Sequence, residues 1–220
     1  MLEKTDYLPV LNKNYTDSKI YKRFLLWTNF KFNGKKILDY WCWNWKLFEF
    51  LLQNWANKQD LFGVDIEQSH LNYIKENVWI SNLSLVNIDT QWTICKSDFF
   101  DIIFCLDVIE HSEKPALILK ELKRLVKPGG VIILCTPNRW TRHIDRKLLK
   151  SCKIFDIIKF NIQRFNWKAF LDPTHLHEYT PNEFKGLLKK HNFIVIKNNF
   201  SLINYIPFFS TKSFIVHLNK

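Results

Sequence analysis

Glycine is scarce in this chain: only 5 of 220 residues, where average usage is roughly 7%. A chain this poor in glycine has few points at which backbone can approach a ligand bare of a side chain, or turn through positive φ without strain. Long apolar runs are missing too. No stretch approaches the roughly 18 unbroken apolar residues of a membrane span, and the start MLEKTDYLPVLNKNY lacks the basic-then-apolar layout of a secretory leader. No transmembrane segment and a cytoplasmic location are therefore expected. Paired cysteines are absent as well. Cys42, Cys95, Cys105, Cys135 and Cys152 are odd in number, widely spaced and mostly inside apolar runs, which argues for reduced core residues rather than a disulfide framework. Acidic residues are outnumbered, 21 against 32 basic ones, giving +11. The excess is concentrated between Asn138 and Leu171, where nine Lys/Arg face two Asp. That segment is the part of the chain most suited to an acidic partner.

What is present is an alternation of short β-rich apolar runs with helical patterns, the mark of a parallel sheet covered on both faces. Lys36 to Asp39 reads as a first strand, followed by Leu47, Phe48, Leu51 and Leu52 at helical spacing. Leu61 to Asp65 is a second strand, Ser69 caps a helix carrying Leu71, Ile74 and Val78, and Leu83 to Ile88 is a third strand. Phe100 to Leu106 is the fourth. The helix Pro115 to Val126 stops at Lys127-Pro128-Gly129-Gly130 and gives way to a strand from Val131 to Cys135. Thr180-Pro181-Asn182-Glu183 then sets a capping box, and Phe193 to Ile196 with Ser213 to Leu218 make an antiparallel edge. The expected fold class is α/β: a doubly wound, mostly parallel seven-stranded sheet in one domain over 1–220. Within it, 1–35 is an N-terminal helical cap, 36–137 the cofactor-binding core, 138–172 a basic lid or insertion, and 173–220 the C-terminal helix and edge strands.

In such sheets ligands bind beyond the carboxyl ends of the strands, so the first strand-to-helix turn carries most information. That turn is Asp39-Tyr40-Trp41-Cys42-Trp43-Asn44-Trp45. KILDYWCWNWKLFEFLL resembles the opening motif of class I S-adenosylmethionine-dependent methyltransferases, hydrophobic-D-x-G-x-G-x-G and a helix, with Trp at all three glycine positions. GVDIE, FDIIFCLDVIEH, KPGGVIILCTPN and DPTHLHEYTPNEFKGLL follow in the family's order, so the resemblance covers roughly Lys36 to Ile196. It implies S-adenosyl-L-methionine as cofactor. Carried over position by position, it places Asp39, Trp41, Cys42, Trp43 and Trp45 at the methionine part, Asp65 on the ribose hydroxyls and Ile66 on adenine. Asp89 falls at the adenine edge, and Leu106, closing the fourth strand, joins the cofactor-binding set.

The census offers a reason for the mismatch. Tryptophan reaches nine, and glycine and tryptophan together make fourteen, an ordinary glycine count. Trp55 and Trp79 each follow a helix where a C-terminal glycine is expected, and Trp92 lies in a polar loop. UGA codons translated as Trp, in a source that reads them as Gly, produce this pattern; Trp140 and Trp167 fit as genuine tryptophans. The competing reading is a cofactor-free relative, a non-catalytic binding protein on the same fold.

Methyl transfer rests on holding the acceptor in line with the sulfonium carbon, and a base is needed only where the acceptor must lose a proton. His111, in Asp107-Val108-Ile109-Glu110-His111, is the candidate general base; a helix-start histidine held for structure is the equal alternative. Asp107, Glu110 and His111, with His175 or His177, also form a possible divalent-metal set. That set resembles the E-x-x-E-H sites of quinone O-methyltransferases and small-RNA 2′-O-methyltransferases, with a shorter Asp in first place. The fourth strand is followed by neither [DN]-P-P-[FYW] nor Pro-Cys, which speaks against base methylation of DNA. The resemblance therefore points to a small-molecule acceptor, more readily at oxygen, with an RNA 2′-O-methyltransferase as the alternative. The basic segment 138–171 reads as an amphipathic lid with peripheral membrane contact, as a nucleic-acid contact, or as a solvated face.

Overall fold

The computed structural model describes residues 30–43, 45–87, 89–137, 175–200 and 212–218. The N-terminal cap as far as residue 29 and the basic segment 138–174 lie outside the described residues. Seven strands form one sheet: β1 (Ile37–Tyr40), β2 (Leu61–Asp65), β3 (Asn82–Leu85), β4 (Phe100–Leu106), β5 (Val126–Thr136), β6 (Phe193–Phe200) and β7 (Lys212–Leu218). Their spatial order is β3-β2-β1-β4-β5-β7-β6. The first five run parallel to one another, and β7 runs antiparallel to both β5 and β6. The mostly parallel seven-stranded sheet expected from the alternating pattern is therefore the fold.

Four helices pack on this sheet among the described residues: α1 (Lys46–Gln53), α2 (Gln68–Asn77), α3 (Pro115–Leu125) and α4 (Pro181–Lys190). Successive side chains of a strand point to opposite faces, and the core divides accordingly. Ile37, Leu61, Ile102, Phe104 and Ile133 pack with Leu47, Phe48, Leu51, Leu71 and Ile74 of α1 and α2. Leu38, Tyr40, Val64, Ile103, Cys105, Ile132 and Leu134 pack with Ile118, Leu122, Phe184 and Leu188 of α3 and α4. All four residues of β1 are buried, as a central strand covered on both faces requires.

Three local expectations need correction. Ser69 does not cap α2; the helix begins two residues earlier, at Gln68, with Glu67 extended at the cap position and no side-chain cap bond. β3 ends at Leu85, where its pairing with Asp65 ends. Lys127-Pro128-Gly129-Gly130 does not separate helix from strand but lies within β5. Pairing steps from Phe100↔Val126 to Ile102↔Val131, so these four residues bulge out of the ladder, with Gly129 at φ 75. Pro128 has no N–H to give a ladder, and such a bulge accommodates it. The capping box at α4 is as expected: Thr180 accepts from the Glu183 N–H at 3.3 Å, and Glu183 accepts from the Thr180 N–H at 2.7 Å.

Gly63 allows β2 to approach the turn after β1. A Cβ there would lie 2.7 Å from Cys42 Sγ and 2.9 Å from Leu83 Cδ2. Gly63→Ala is expected to cost about 1–3 kcal/mol by overpacking, read as a lower denaturant midpoint at unchanged slope; an unchanged midpoint would contradict this packing.

Candidate functional site

After β1 the chain leaves toward the α1 face, and after β4 toward the α3 face. Adjacent parallel strands whose connections diverge leave a crevice beyond their carboxyl ends. Asp39, the turn from Trp41 to Trp45, Asp65 and Leu106 all sit at that end. The turn is anchored by two backbone bonds: the N–H groups of Trp41 and Cys42 both donate to Val64 O at 2.9 Å. Its side chains do not act as a unit. Trp41 sits at φ 83, half-buried, and its ring centroid lies 5.5 Å from that of His111. Cys42 is fully buried under Gly63, and Trp43 is exposed. Trp45 lies in the helical region at φ −53, its ring 4.5 Å from Tyr73.

Asp65 is buried at the end of β2. Its Oδ1 accepts from the Glu67 N–H at 2.9 Å and lies 3.0 Å from His70 Nδ1, while Oδ2 has no hydrogen-bond partner among the described residues. A buried carboxylate oxygen left unsatisfied is costly, about 1–3 kcal/mol or more for a charged group, and a ligand hydroxyl relieves that cost. Ile66 next to it is 40% exposed, available to a flat apolar surface. Burial, and then the nearby Asp65, push the Asp39 carboxyl well above the usual range; burial also pushes Asp65 up, opposed by the Glu67 N–H and His70.

Asp89 follows β3. It accepts from the Ser112 hydroxyl and, at 3.3 Å, from the Lys114 N–H, so it ties this loop to the segment before α3. On the other side of the crevice, Ile109–His111 form a short 3-10 turn. Glu110 is buried and its carboxylate accepts from Thr136 at 3.1 Å. Its backbone carbonyl accepts from the N–H groups of Leu176 and His177, at 2.8 and 3.0 Å. Those two bonds dock the segment before α4 onto the turn, bringing His175 to 4.5 Å from His111, ring to ring. Glu110, His111 and His175 each offer a ligand atom, all within 4.8 Å of one another. Asp107 and His177 do not belong to this group. Asp107 is exposed, with its backbone at φ 52.

Sequence reasoning missed Ser112, Thr136 and the docking carbonyl of Glu110. Ser112 and Thr136 bond across 23 and 26 residues, and no local pattern announces such bonds.

A methyltransferase-domain family model matches residues 14–198. Among curated proteins, the chain is 31% identical over 113 residues to a ubiquinone biosynthesis O-methyltransferase of Actinobacillus pleuropneumoniae, a match covering 48% of this chain and 47% of that one. The chain thus spans about half the length of that relative. To the enzyme of the same name in Coxiella burnetii it is 25% identical over 186 residues, covering 80% of this chain and 77% of the other. Among solved structures, an S-adenosylmethionine-dependent methyltransferase from Mesorhizobium loti superposes with TM-score 0.64 over 93% of this chain and 98% of that one, at 14% identity. That likeness is one of fold. No described helix is long and apolar enough to cross a membrane.

The raised carboxyls have a consequence for stability. A carboxyl whose folded pKa lies above its unfolded value of about 3.9 opposes folding once ionised, so its cost is full above the folded pKa and relieved as pH falls toward the unfolded one. Asp39→Asn is therefore expected to raise the thermal midpoint of the ligand-free chain at neutral pH and to flatten its rise on mild acidification. An unaltered pH slope in thermal unfolding would contradict this reading.

Proposed function

Because the chain belongs to the methyltransferase-domain family, we propose that it transfers a methyl group from S-adenosylmethionine to oxygen on a small-molecule acceptor. The observation that carries the cofactor assignment is the unsatisfied Oδ2 of Asp65 at the carboxyl end of β2, suited to accept from a ribose hydroxyl. Around it, the turn Asp39 to Trp45 lies where the methionine part would run. Ile66 would cover adenine, Asp89 would border its edge, and Leu106 would line the floor. The core 36–137 carries these residues, within one domain over 1–220. The O-methyltransferase names of the curated relatives support oxygen as the methylated atom.

His111 is the proposed base. It stands on the turn after β4, beside Trp41 and His175, on the acceptor side of the crevice. An imidazole there can take the hydroxyl proton as the oxygen attacks the methyl carbon, a contribution of about 10²–10⁴-fold. Sulfur leaves with the bonding pair, so no other co-reactant is required. A second reading has its own observation in the proximity of Glu110, His111 and His175. One carboxylate and two imidazoles suit a divalent cation of the zinc, iron or manganese type. Held by these residues, such an ion would lower the pKa of an acceptor hydroxyl, and His111 would serve as ligand instead of base.

The test is transfer of labelled methyl from S-adenosylmethionine to a panel of phenolic and catecholic small molecules, beside an RNA oligonucleotide with a free ribose hydroxyl. Label on a small molecule, lost by about 10²–10⁴-fold in His111→Ala and indifferent to chelator, is the expected result. Abolition by chelator with rescue by added metal selects the second reading, and label on the RNA alone contradicts the small-molecule acceptor.

A further inference from the structure

We propose that Trp41, Trp55 and Trp79 are glycines in the protein as its own cell makes it, written as tryptophan because their codons are read there as glycine. The backbone carries the argument. Among the described residues, positive φ occurs at Gly34 and Gly129 and at six others: Asp98, Asp107, Asn192, Trp41, Trp55 and Trp79. Asp and Asn visit this region because their short polar side chains bond locally; a bulky residue there is an outlier. The three tryptophans are thus the anomaly, at φ 83, 69 and 59.

Their places in the fold explain why. Trp55 follows the C-cap Asn54 of α1, its N–H reaching Leu52 O at 3.4 Å while the Ala56 N–H reaches Leu51 O at 3.0 Å. That bonding pair is the Schellman ending of a helix, whose left-handed position is normally glycine. Trp79 follows the C-cap Val78 of α2 and donates to Ile74 O at 3.1 Å. α4 supplies the internal comparison. The corresponding residue after its C-cap is Asn192, at φ 62, donating to Lys189 O at 3.0 Å. All three helices end with a left-handed residue after the C-cap, and the two that carry Trp carry it where the third has the usual substitute for glycine. Packing does not repay the strain. Trp55 is 84% exposed and Trp79 71%, the latter meeting Lys58 Nζ at 4.7 Å on the surface. Trp41 differs in being half-buried, its ring centroid 5.5 Å from that of His111. Trp45 is excluded because its backbone is helical.

Trp55 and Trp79 lie outside the cofactor turn, so the inference does not rest on the methyl-transfer reading and fails separately from it. The gene and the native protein decide it. UGA at codons 41, 55 and 79, with glycine at those positions in tandem mass spectra of protein from the source cells, is the expected result. UGG codons, or tryptophan in the peptides, overturn it. A physical check uses the recombinant chain. Trp55→Gly and Trp79→Gly should each raise the thermal midpoint, whereas Trp45→Gly, at a helical φ with its ring packed on Tyr73, should lower it. A fall in all three would overturn the backbone argument.

Discussion

Strand β1 hydrogen-bonds to β2 on one side and to β4 on the other, and the connections that leave β1 and β4 go to opposite faces of the sheet. Everything about the candidate site depends on that placement. Four buried residues, Ile37 to Tyr40, commit both faces of the strand to the core. The chain emerging from β1 enters the crevice beyond the carboxyl ends of the strands. The same register delivers Asp65 from β2 and Leu106 from β4 to the same rim. A one-residue slip would exchange Ile37 and Leu38 between the two core layers and turn Asp39 away from its side.

The energetics of the rim are those of a prepared site. Two acidic residues, Asp39 and Asp65, are held buried side by side at a cost to folding, and one oxygen of Asp65 is left unsatisfied among the described residues. Well-packed strands on either side absorb that cost. The side of the crevice after β4 is built differently: the Glu110 carboxylate is fixed by Thr136, its carbonyl by two N–H groups of the 176–177 segment, and His111 and His175 are brought together as a result. The proposed cofactor side therefore depends on strand ends, and the proposed acceptor side on a docked loop. Such a division lets acceptor chemistry vary on a constant cofactor rim, because function resides in the site and not in the fold.

Much of the fold was legible in the sequence because burial on both faces leaves short apolar runs, and the runs at β1, β2 and β4 match the strands closely. The capping box of α4 was equally legible, since its chemistry is contained in four consecutive residues. What could not be read depended on distant partners. β3 stops where pairing with β2 stops, and Lys127 to Gly130 joins a strand because β4 lies beside it. Asp89 was singled out, but its bonds to Ser112 and Lys114 leave no trace in spacing. Of the five residues proposed for a metal, Glu110, His111 and His175 meet. Asp107 and His177 are not in that group. The tryptophans illustrate the reverse: the motif, the census and the positions after helices raised the suspicion, and only dihedral angles separate Trp41, Trp55 and Trp79 from Trp45.

The central claim is that the rim formed by the turn after β1 and by Asp65 binds S-adenosylmethionine. Calorimetric titration of S-adenosylhomocysteine into the Trp41→Gly chain, with and without Asp65→Ala, tests it most directly. Saturable binding that weakens about 10- to 100-fold on loss of Asp65, the worth of a charge-assisted hydrogen bond of about 1.5–3 kcal/mol, is the predicted result. No binding by the Trp41→Gly chain, or equal binding with and without Asp65, would contradict the account.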